Sequence, residues 1–281
     1  INDLQRATAG LKRIEELHRI QSGIRDGTEK LAAARPLAIA FQNVNFHYNP
    51  GDPIFRNISF TLEAGKTLGL LGRTGSGKTT ITRLLFRFYD IQSGRISIGD
   101  QDIRDIQLDE LRQHVGLVTQ DVQLFNASVR DNLALFHPQV SDEKIIAILQ
   151  ELGLGPWYES LSDGLNTGLS AGSSGLSAGE AQLLAFTRVF LKDPGLVILD
   201  EPSSRLDPAT EQNINRAVER LLQNRTGIVI AHRLETVQRV DEILILDDGQ
   251  IQEFGPRATL VANPTSQFSQ LLKTGLEEFT A

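Results

Sequence analysis

The sequence predicts an α/β fold with a mainly parallel sheet, an antiparallel β subdomain and an inserted α-helical subdomain. Three observations predict it. A glycine-rich loop at residues 72–79 stands between a short apolar segment and a helical pattern. Two aliphatic runs, at residues 196–199 and 227–231, have the composition of buried parallel strands. Strand patterns precede the loop, whereas mostly helical patterns fill residues 121–185.

The glycine-rich loop fits the pattern G-x-x-x-x-G-K-[ST] and follows a predicted strand, as a phosphate-binding loop does. Its glycines let backbone N–H groups approach a polyphosphate, and the following helix adds the positive end of its dipole. Roughly one chain in a hundred of this length matches by chance, so the flanking strand and helix strengthen the interpretation. We expect the nucleotide to be contacted by Arg73, Thr74, Gly75, Ser76, Gly77, Lys78, Thr79 and Thr80. In this pattern Lys78 reaches the β- and γ-phosphates and the Thr79 hydroxyl binds Mg²⁺.

The composition excludes several classes of protein. Hydrophobic residues make up 40% and charged residues 22% of the 281, as in ordinary globular proteins. The net charge of −7 does not indicate a nucleic-acid surface. No apolar stretch is long enough to span a bilayer, and no signal peptide is visible. The absence of cysteine excludes disulfides and suits the cytosol, and the absence of methionine indicates a fragment of a longer protein or a processed chain.

Residues 1–36 are predicted to be a helical extension and linker. Apolar residues recur at helical intervals over residues 1–20, which indicates either a helix packed on its own domain or the end of a longer helix. Residues 37–41, 44–48 and 57–62 then read as three strands of an antiparallel β element. Tyr48 is either an ordinary strand aromatic or a ring that stacks on adenine.

The region 121–185 ends in two features. Residues 164–175 are rich in glycine and serine and predict a loop. Ser177 and Glu180 then precede a helical apolar run, which is the pattern of a capping box and needs no ligand to explain it. The same helix start, with Ser177 and the Gly179 backbone, could also offer donors to a phosphate.

Two carboxylates, Asp200 and Glu201, follow the aliphatic strand at 196–199. The carboxyl end of such a strand faces the crevice where ligands bind in open α/β sheets. Asp200 is the candidate ligand for Mg²⁺, and Glu201 is the candidate base that deprotonates the attacking water. His232 follows the strand at 227–231, so it is expected at the same crevice.

The remaining patterns complete the fold. A helix is predicted over residues 208–223, beginning at Pro208. A hairpin turn is predicted at residues 247–249, and two short helices over residues 256–276.

Together these motifs resemble the nucleotide-binding domain of an ABC transporter, a P-loop NTPase. The resemblance rests on their order over residues 37–275: the phosphate loop, Gln120 after a strand, Leu176–Glu180, Leu199–Pro202, Leu206–Asp207 and His232. Residues 46–48 resemble the adenine-stacking loop of the exporter type. Residues 1–20 are similar to the extension of the last transmembrane helix in exporters whose two domains are fused, so the ATPase domain is placed at residues 37–281.

The resemblance implies ATP and Mg²⁺ as ligands and a location at the cytoplasmic face of the cell membrane. Two such domains would close head to tail, and the phosphate loop of one would meet Ser177 and Gly179 of the other. Gln120 would sense Mg²⁺ and the attacking water, His232 would contact the γ-phosphate, and Asp207 would lie at the dimer seam. Hydrolysis would then drive the transmembrane domain of an exporter.

Some residues depart from the family pattern. The signature is usually Leu-Ser-Gly-Gly-Gln, but Ala178 and Glu180 replace a glycine and the glutamine here. Arg205 stands where the family usually has a small residue, and residues 166–175 lack the acidic residues that exporters often carry. The chain is therefore expected to bind ATP on its own loop, in a homodimer or as one half of a heterodimer with one weak site.

Two rival functions are considered. A soluble ABC ATPase acting on DNA or ribosomes would need a coiled-coil insertion or a second cassette, and the segment between Lys78 and Gly175 is too short for the insertion. A non-catalytic regulatory module would not need Lys78 and Glu201.

Overall fold

The computed structural model describes residues 12, 13, 15, 23–32, 35–169, 176–200, 208–231 and 235–274. Its centre is a six-stranded sheet in the order β12-β11-β3-β10-β9-β6. Neighbouring strands in this sheet are parallel except for the β11–β12 pair. The strands are β3 (Thr67–Gly72), β6 (Val115–Val118), β9 (Leu196–Asp200), β10 (Thr226–Ile230), β11 (Glu242–Asp247) and β12 (Gln250–Pro256).

An antiparallel sheet in the order β2-β1-β4-β5 lies beside this centre. Its strands are β1 (Ile39–His47), β2 (Pro53–Leu62), β4 (Ser93–Ile98) and β5 (Gln101–Asp102), and a short pair joins β7 (Ala127–Ser128) to β8 (Gly168–Leu169). The α-helices among the described residues are α1 (Lys78–Leu85), α2 (Leu108–His114), α3 (Val129–Ala134), α4 (Asp142–Glu151), α5 (Gly155–Glu159), α6 (Ala178–Lys192), α7 (Pro208–Leu222), α8 (Arg257–Ala262) and α9 (Gln267–Thr274). Short 3₁₀ turns cover Gly164–Asn166 and Glu235–Val237.

The central sheet separates two hydrophobic cores. Along β9, Leu196 and Ile198 belong to the core shared with the antiparallel sheet, whereas Val197 and Leu199 belong to the core shared with α3, α4 and α6. Successive side chains of a strand point to opposite faces, so a strand buried on both faces must be apolar throughout. This explains the unbroken aliphatic runs and confirms the predicted α/β fold.

The prediction of two separate strands at residues 37–41 and 44–48 is wrong. They form the single strand β1, whose pairing with β2 shifts register between Phe41 and Val44 and again between Val44 and Phe46. Asn43 lies at a positive φ of 49°, so the polar break in the pattern is a bulge rather than a turn. The third strand of the antiparallel sheet is instead β4, which follows the phosphate loop.

Residues 23–32, predicted as linker, pack along the domain. The N–H groups of Thr28 and Glu29 both donate to the Asp105 carbonyl at 2.9 Å, and the Asp26 carboxylate accepts from Leu108 N at 2.7 Å. The helix predicted over residues 1–20 lies mostly outside the described residues. The boundaries predicted for the extension and for the helical subdomain therefore stay predictions.

Other local predictions are confirmed. Helix α7 begins at Pro208, the β11–β12 hairpin turns at residues 247–250, and helices α8 and α9 end the described chain. In the part of the chain that the structure describes, no helix is both long and apolar enough to cross a membrane.

Candidate nucleotide-binding site

The loop between β3 and α1 occupies the carboxyl end of a central parallel strand. Gly77 is the N-cap of α1 and has a φ of 110°, a conformation that L side chains rarely adopt. A Cβ on Gly77 would come within 2.5 Å of the Phe55 ring, whereas a Cβ on Gly75 would meet nothing within 4 Å. The backbone at Gly75 is therefore open on the outer side, while Gly77 fixes how closely the helix packs on β2.

The start of α1 is arranged to receive an anion. The N-cap residue Gly77 makes no side-chain capping hydrogen bond to the helix, and the first turn of the helix contains no acidic residue. A helix N-terminus carries partial positive charge and N–H groups that lack intrahelical partners. The Ser76 hydroxyl is buried and has no hydrogen-bond partner among the residues that the structure describes. A buried polar atom without a partner is costly, so its position fits a polar ligand held at this loop.

Lys78 lies across the same loop. Its side chain is buried, and its ammonium donates to the Gly72 carbonyl and, at 2.9 Å, to the Arg73 carbonyl. Thr79 is exposed at the start of the helix, whereas Thr80 faces inward. The loop thus brings together the residues predicted at 73–80, with the Lys78 ammonium held at the carbonyls of Gly72 and Arg73, where the loop begins.

Tyr48 approaches α1 from the end of β1. Its hydroxyl lies 3.1 Å from Thr80 Oγ1 and accepts a hydrogen bond from Arg83 Nη1, also at 3.1 Å. This hydrogen bond to Tyr48 raises the pKa of the Arg83 guanidinium. The Tyr48 ring meets Phe46 and Tyr89 edge to face, with each pair of centroids 4.9 Å apart. Sequence analysis missed Arg83, although its spacing of one helical turn from Thr79 and Thr80 was a usable signal.

The carboxyl ends of neighbouring strands place further predicted residues at this edge. Asp200 ends β9 and pairs in register with Ile230 of β10, which in turn pairs with Leu70 of β3. Gln120 is exposed two residues after β6 ends at Val118. Asp200 and Gln120 therefore lie at the same sheet edge as the loop that follows β3. Glu201, His232 and Asp207 are outside the described residues, as are Arg205 and residues 170–175.

The predicted capping box at the start of α6 is confirmed. Ser177 N and Ser177 Oγ both donate to Glu180 Oε2, at 2.7 and 2.8 Å, and Glu180 N donates to Ser177 Oγ at 3.2 Å. Of the donors that sequence analysis assigned to a phosphate, those of Ser177 are thus engaged by a carboxylate of the same helix. Gly179 is buried against α7, where a Cβ would come within 1.9 Å of Thr210 Cγ2.

A strand, a phosphate loop with an open helix start, and an acidic residue at the end of β9, two strands away in the same sheet, define a phosphate-loop NTPase. The sequence profile described as "ABC transporter" matches residues 55–204. The chain therefore belongs to the ABC transporter family, as an ATP-binding domain.

Individual relatives agree with this assignment. The chain is 40% identical over 238 residues to the mitochondrial iron-sulfur clusters transporter ATM1 of Debaryomyces hansenii, which covers 84% of this chain and 34% of that protein. It is 41% identical over 236 residues to the human mitochondrial iron-sulfur clusters transporter ABCB7, covering 84% of this chain and 31% of that protein. It is 37% identical to the ATP-dependent lipid A-core flippase of Alcanivorax borkumensis, covering 98% of this chain and 47% of that protein.

A solved structure is similar as well. The structure of a bacterial Atm1-family ABC exporter with ATP bound matches with a TM-score of 0.85 and 32% identity, covering 96% of this chain and 47% of that one. The chain spans about a third to a half of the length of these curated relatives.

Proposed function

We propose that this domain hydrolyses ATP at the cytoplasmic face of the cell membrane to drive the transmembrane domain of an exporter. The observation that carries the proposal is the open N-terminus of α1, with its buried lysine and buried, unpartnered Ser76 hydroxyl. The similarity to exporters along nearly the whole chain supports the membrane partner. The relatives named above act on different cargoes, so the cargo of this protein is not indicated.

In this proposal the chain's own residues divide the work. The loop N–H groups and Lys78 hold the β- and γ-phosphates, and Tyr48 stacks on the adenine beside α1. Glu201 takes a proton from the attacking water, while His232 and Gln120 orient the γ-phosphate and that water. Phosphoryl transfer needs positioning and charge stabilisation more than covalent chemistry, which suits such a set of residues.

The residues present also fit Mg²⁺. Thr79, Asp200 and Gln120 offer oxygen ligands, the type that Mg²⁺ prefers. Across the described parts of the chain no three His, Cys, Asp or Glu side chains form a metal cluster. Mg²⁺ commonly takes one or two protein carboxylates and completes its shell with phosphate and water. When bound, Mg²⁺ neutralises charge that develops on the phosphate oxygens.

The second nucleotide-binding domain is either another copy of this chain or a different chain. We propose a head-to-tail dimer, in which Ser177 and Gly179 face the partner's nucleotide and Asp207 lies at the seam. The Glu180 carboxylate occupies the Ser177 donors, which favours a second candidate function: one half of a heterodimer whose other site, completed by this signature, turns over slowly.

Steady-state ATP hydrolysis measured against protein concentration tests these proposals, with Glu201→Gln as the blank. A specific rate that rises with concentration and disappears in Glu201→Gln supports a working homodimer. Tight ATP binding with turnover equal to the blank favours the heterodimer. Turnover unchanged by Glu201→Gln contradicts the assignment of the base, and absence of ATP binding contradicts the function as a whole.

A further inference from the structure

A second pocket lies at the opposite edge of the central sheet from the phosphate loop. Its volume is about 530 Å³, within the range of small-molecule sites. It forms where α2 ends at His114, where the chain leaves α3, and where α6 ends at Lys192. His114 and Lys192 stand at the amino ends of β6 and β9, which are parallel to β10 and β3. The pocket is therefore distinct from the nucleotide site.

Three cationic side chains, those of Arg35, Arg188 and Lys192, contribute to its described lining, together with the imidazoles of His114 and His137. Among the described residues that line it there is no aspartate or glutamate. Two carboxylates outside the lining pair with lining residues, since Asp193 pairs with Arg35 as well as with Arg225, and Glu110 lies 3.9 Å from His114 Nδ1. The positive charge that remains in the pocket is that of Arg188 and Lys192.

Two of these cations are balanced only by neutral oxygens. Arg188 donates to the Asn132 carbonyl at 2.8 Å, the Gln123 carbonyl at 2.9 Å and Asn132 Oδ1 at 3.2 Å. Lys192 is an exposed residue, and its ammonium donates to the Val115 carbonyl at 2.9 Å in a partly buried hydrogen bond. Neither has a carboxylate within ion-pair distance in the described structure. Burial lowers the pKa of both side chains, because removal from water disfavours their charged forms.

Both cations keep donors to spare. A guanidinium carries five N–H donors and an ammonium three, so these bonds leave about two on each. The Gln113 and Gln139 side chains add amide groups to the lining. The rest of the described lining is apolar and consists of Leu133, Ala134, Leu135, Val140 and Leu191. The pocket thus combines donors for several acceptor oxygens with a surface for a short hydrocarbon body.

We propose that this pocket binds a small organic phosphate with a short apolar body, either free in solution or as a lipid headgroup. A phosphate supplies several acceptor oxygens. It also supplies the anionic partner that neither Arg188 nor Lys192 has among the described residues. Arg188 also donates a hydrogen bond to the carbonyl of Gln123, which lies three residues after Gln120. On the same helix, Gln182 donates to the carbonyl of Thr119, the residue before Gln120, at 3.4 Å. The bound anion therefore lies beside the residues that position the Gln120 segment.

The test uses the chain with Lys78→Ala, which disables the phosphate loop as an anion site. Calorimetry measures the binding of glycerol 3-phosphate to this variant. Co-sedimentation measures its binding to phosphatidylglycerol vesicles, with phosphatidylcholine vesicles as the comparison. Lys192→Gln removes one charge from the pocket, and Gln139→Glu places a carboxylate in its exposed rim. Lys273→Gln, at an exposed lysine of α9 outside the lining, is the matched control.

Saturable binding is expected in one of the two arms, which identifies the source of the phosphate. Lys192→Gln and Gln139→Glu should each weaken it by at least about tenfold, the typical loss of one charge-assisted contact, and Lys273→Gln should leave it unchanged. Melting temperatures of the variants establish that each is folded. The proposal is overturned if neither probe binds up to about 10 mM, an affinity too weak to matter. It is also overturned if a folded Lys192→Gln or Gln139→Glu binds as the parent does.

Discussion

Two helices of this domain begin in opposite ways. At the start of α1, the N-cap is Gly77, no side chain caps it, and the first turn holds a lysine and no acid. At the start of α6, Ser177 caps the helix and Glu180 completes a capping box with its own carboxylate. Both helix ends carry the same partial positive charge, because the peptide dipoles align in both. Only the second is neutralised from within the chain.

The difference shows how one physical property serves two purposes. An uncapped N-terminus costs stability unless a ligand supplies the acceptors, so α1 gives up local stability to receive phosphate. A capped N-terminus is stable alone but has fewer donors to offer to a partner's phosphate. Glu180 stands where the family usually has glutamine, and in this structure three hydrogen bonds join it to Ser177.

The largest effect is expected from removing the cation of the open helix start. Lys78→Ala should weaken ATP binding by about a hundredfold, because hydrogen bonds to charged groups contribute about 1.5–3 kcal/mol each. Calorimetric titration with ATP measures it. Lys66→Ala, at the other end of β3, is the control and should bind normally. Equal affinity in the two variants would show that Lys78 does not contact the phosphates.

Packing beneath the capped helix start gives the next effect. Gly179→Ala should lower the free energy of unfolding by about 1–3 kcal/mol, since its Cβ overlaps Thr210 Cγ2. Urea denaturation measures this loss, and adding Thr210→Ser, which removes that methyl group, should restore most of it. Gly168→Ala is the control, because a Cβ there meets nothing within 4 Å. A destabilisation that Thr210→Ser leaves in place would rule out the overlap as its cause.

The cap itself is expected to contribute less. Ser177→Ala should lower the free energy of unfolding by about 1 kcal/mol through loss of the N-cap acceptor. Ser177→Thr keeps a hydroxyl and should lose only a fraction of that amount. Urea denaturation of both variants compares them. If alanine and threonine prove equally destabilising, the stability of the α6 start does not come from its cap.

The smallest change tests whether the internal carboxylate competes with a partner's phosphate. Glu180→Gln should cost about 0.3–1 kcal/mol of helix-dipole stabilisation while it raises ATP turnover severalfold at high protein concentration. Glu143→Gln, in the first turn of α4, removes a comparable charge away from the signature and should leave turnover unchanged. The measurement is steady-state hydrolysis. A turnover in Glu180→Gln no higher than in the parent would mean that the carboxylate does not limit the site.

The amino-acid sequence by itself determined the central strands, the phosphate loop, both helix starts and the family. These features depend on contiguous residues: β3, the loop and α1 occupy residues 67–85 without a break, and Ser177 and Glu180 lie one helical turn apart. Local periodicity and capping chemistry are therefore enough to predict them. The single strand β1 was not predicted, because a bulge and a turn both interrupt the alternation of apolar residues.

Only the tertiary structure decided which distant residues meet. Tyr48 contacts Thr80 and Arg83 because the antiparallel sheet packs on the face of the central sheet that carries α1. The cationic pocket collects residues from Arg35 to Lys192, and none of its cations stands in a basic run of the sequence. Such groupings depend on which faces of the strands and helices pack against one another. Residue spacing along the chain does not determine that packing, so the sequence pattern did not predict these contacts.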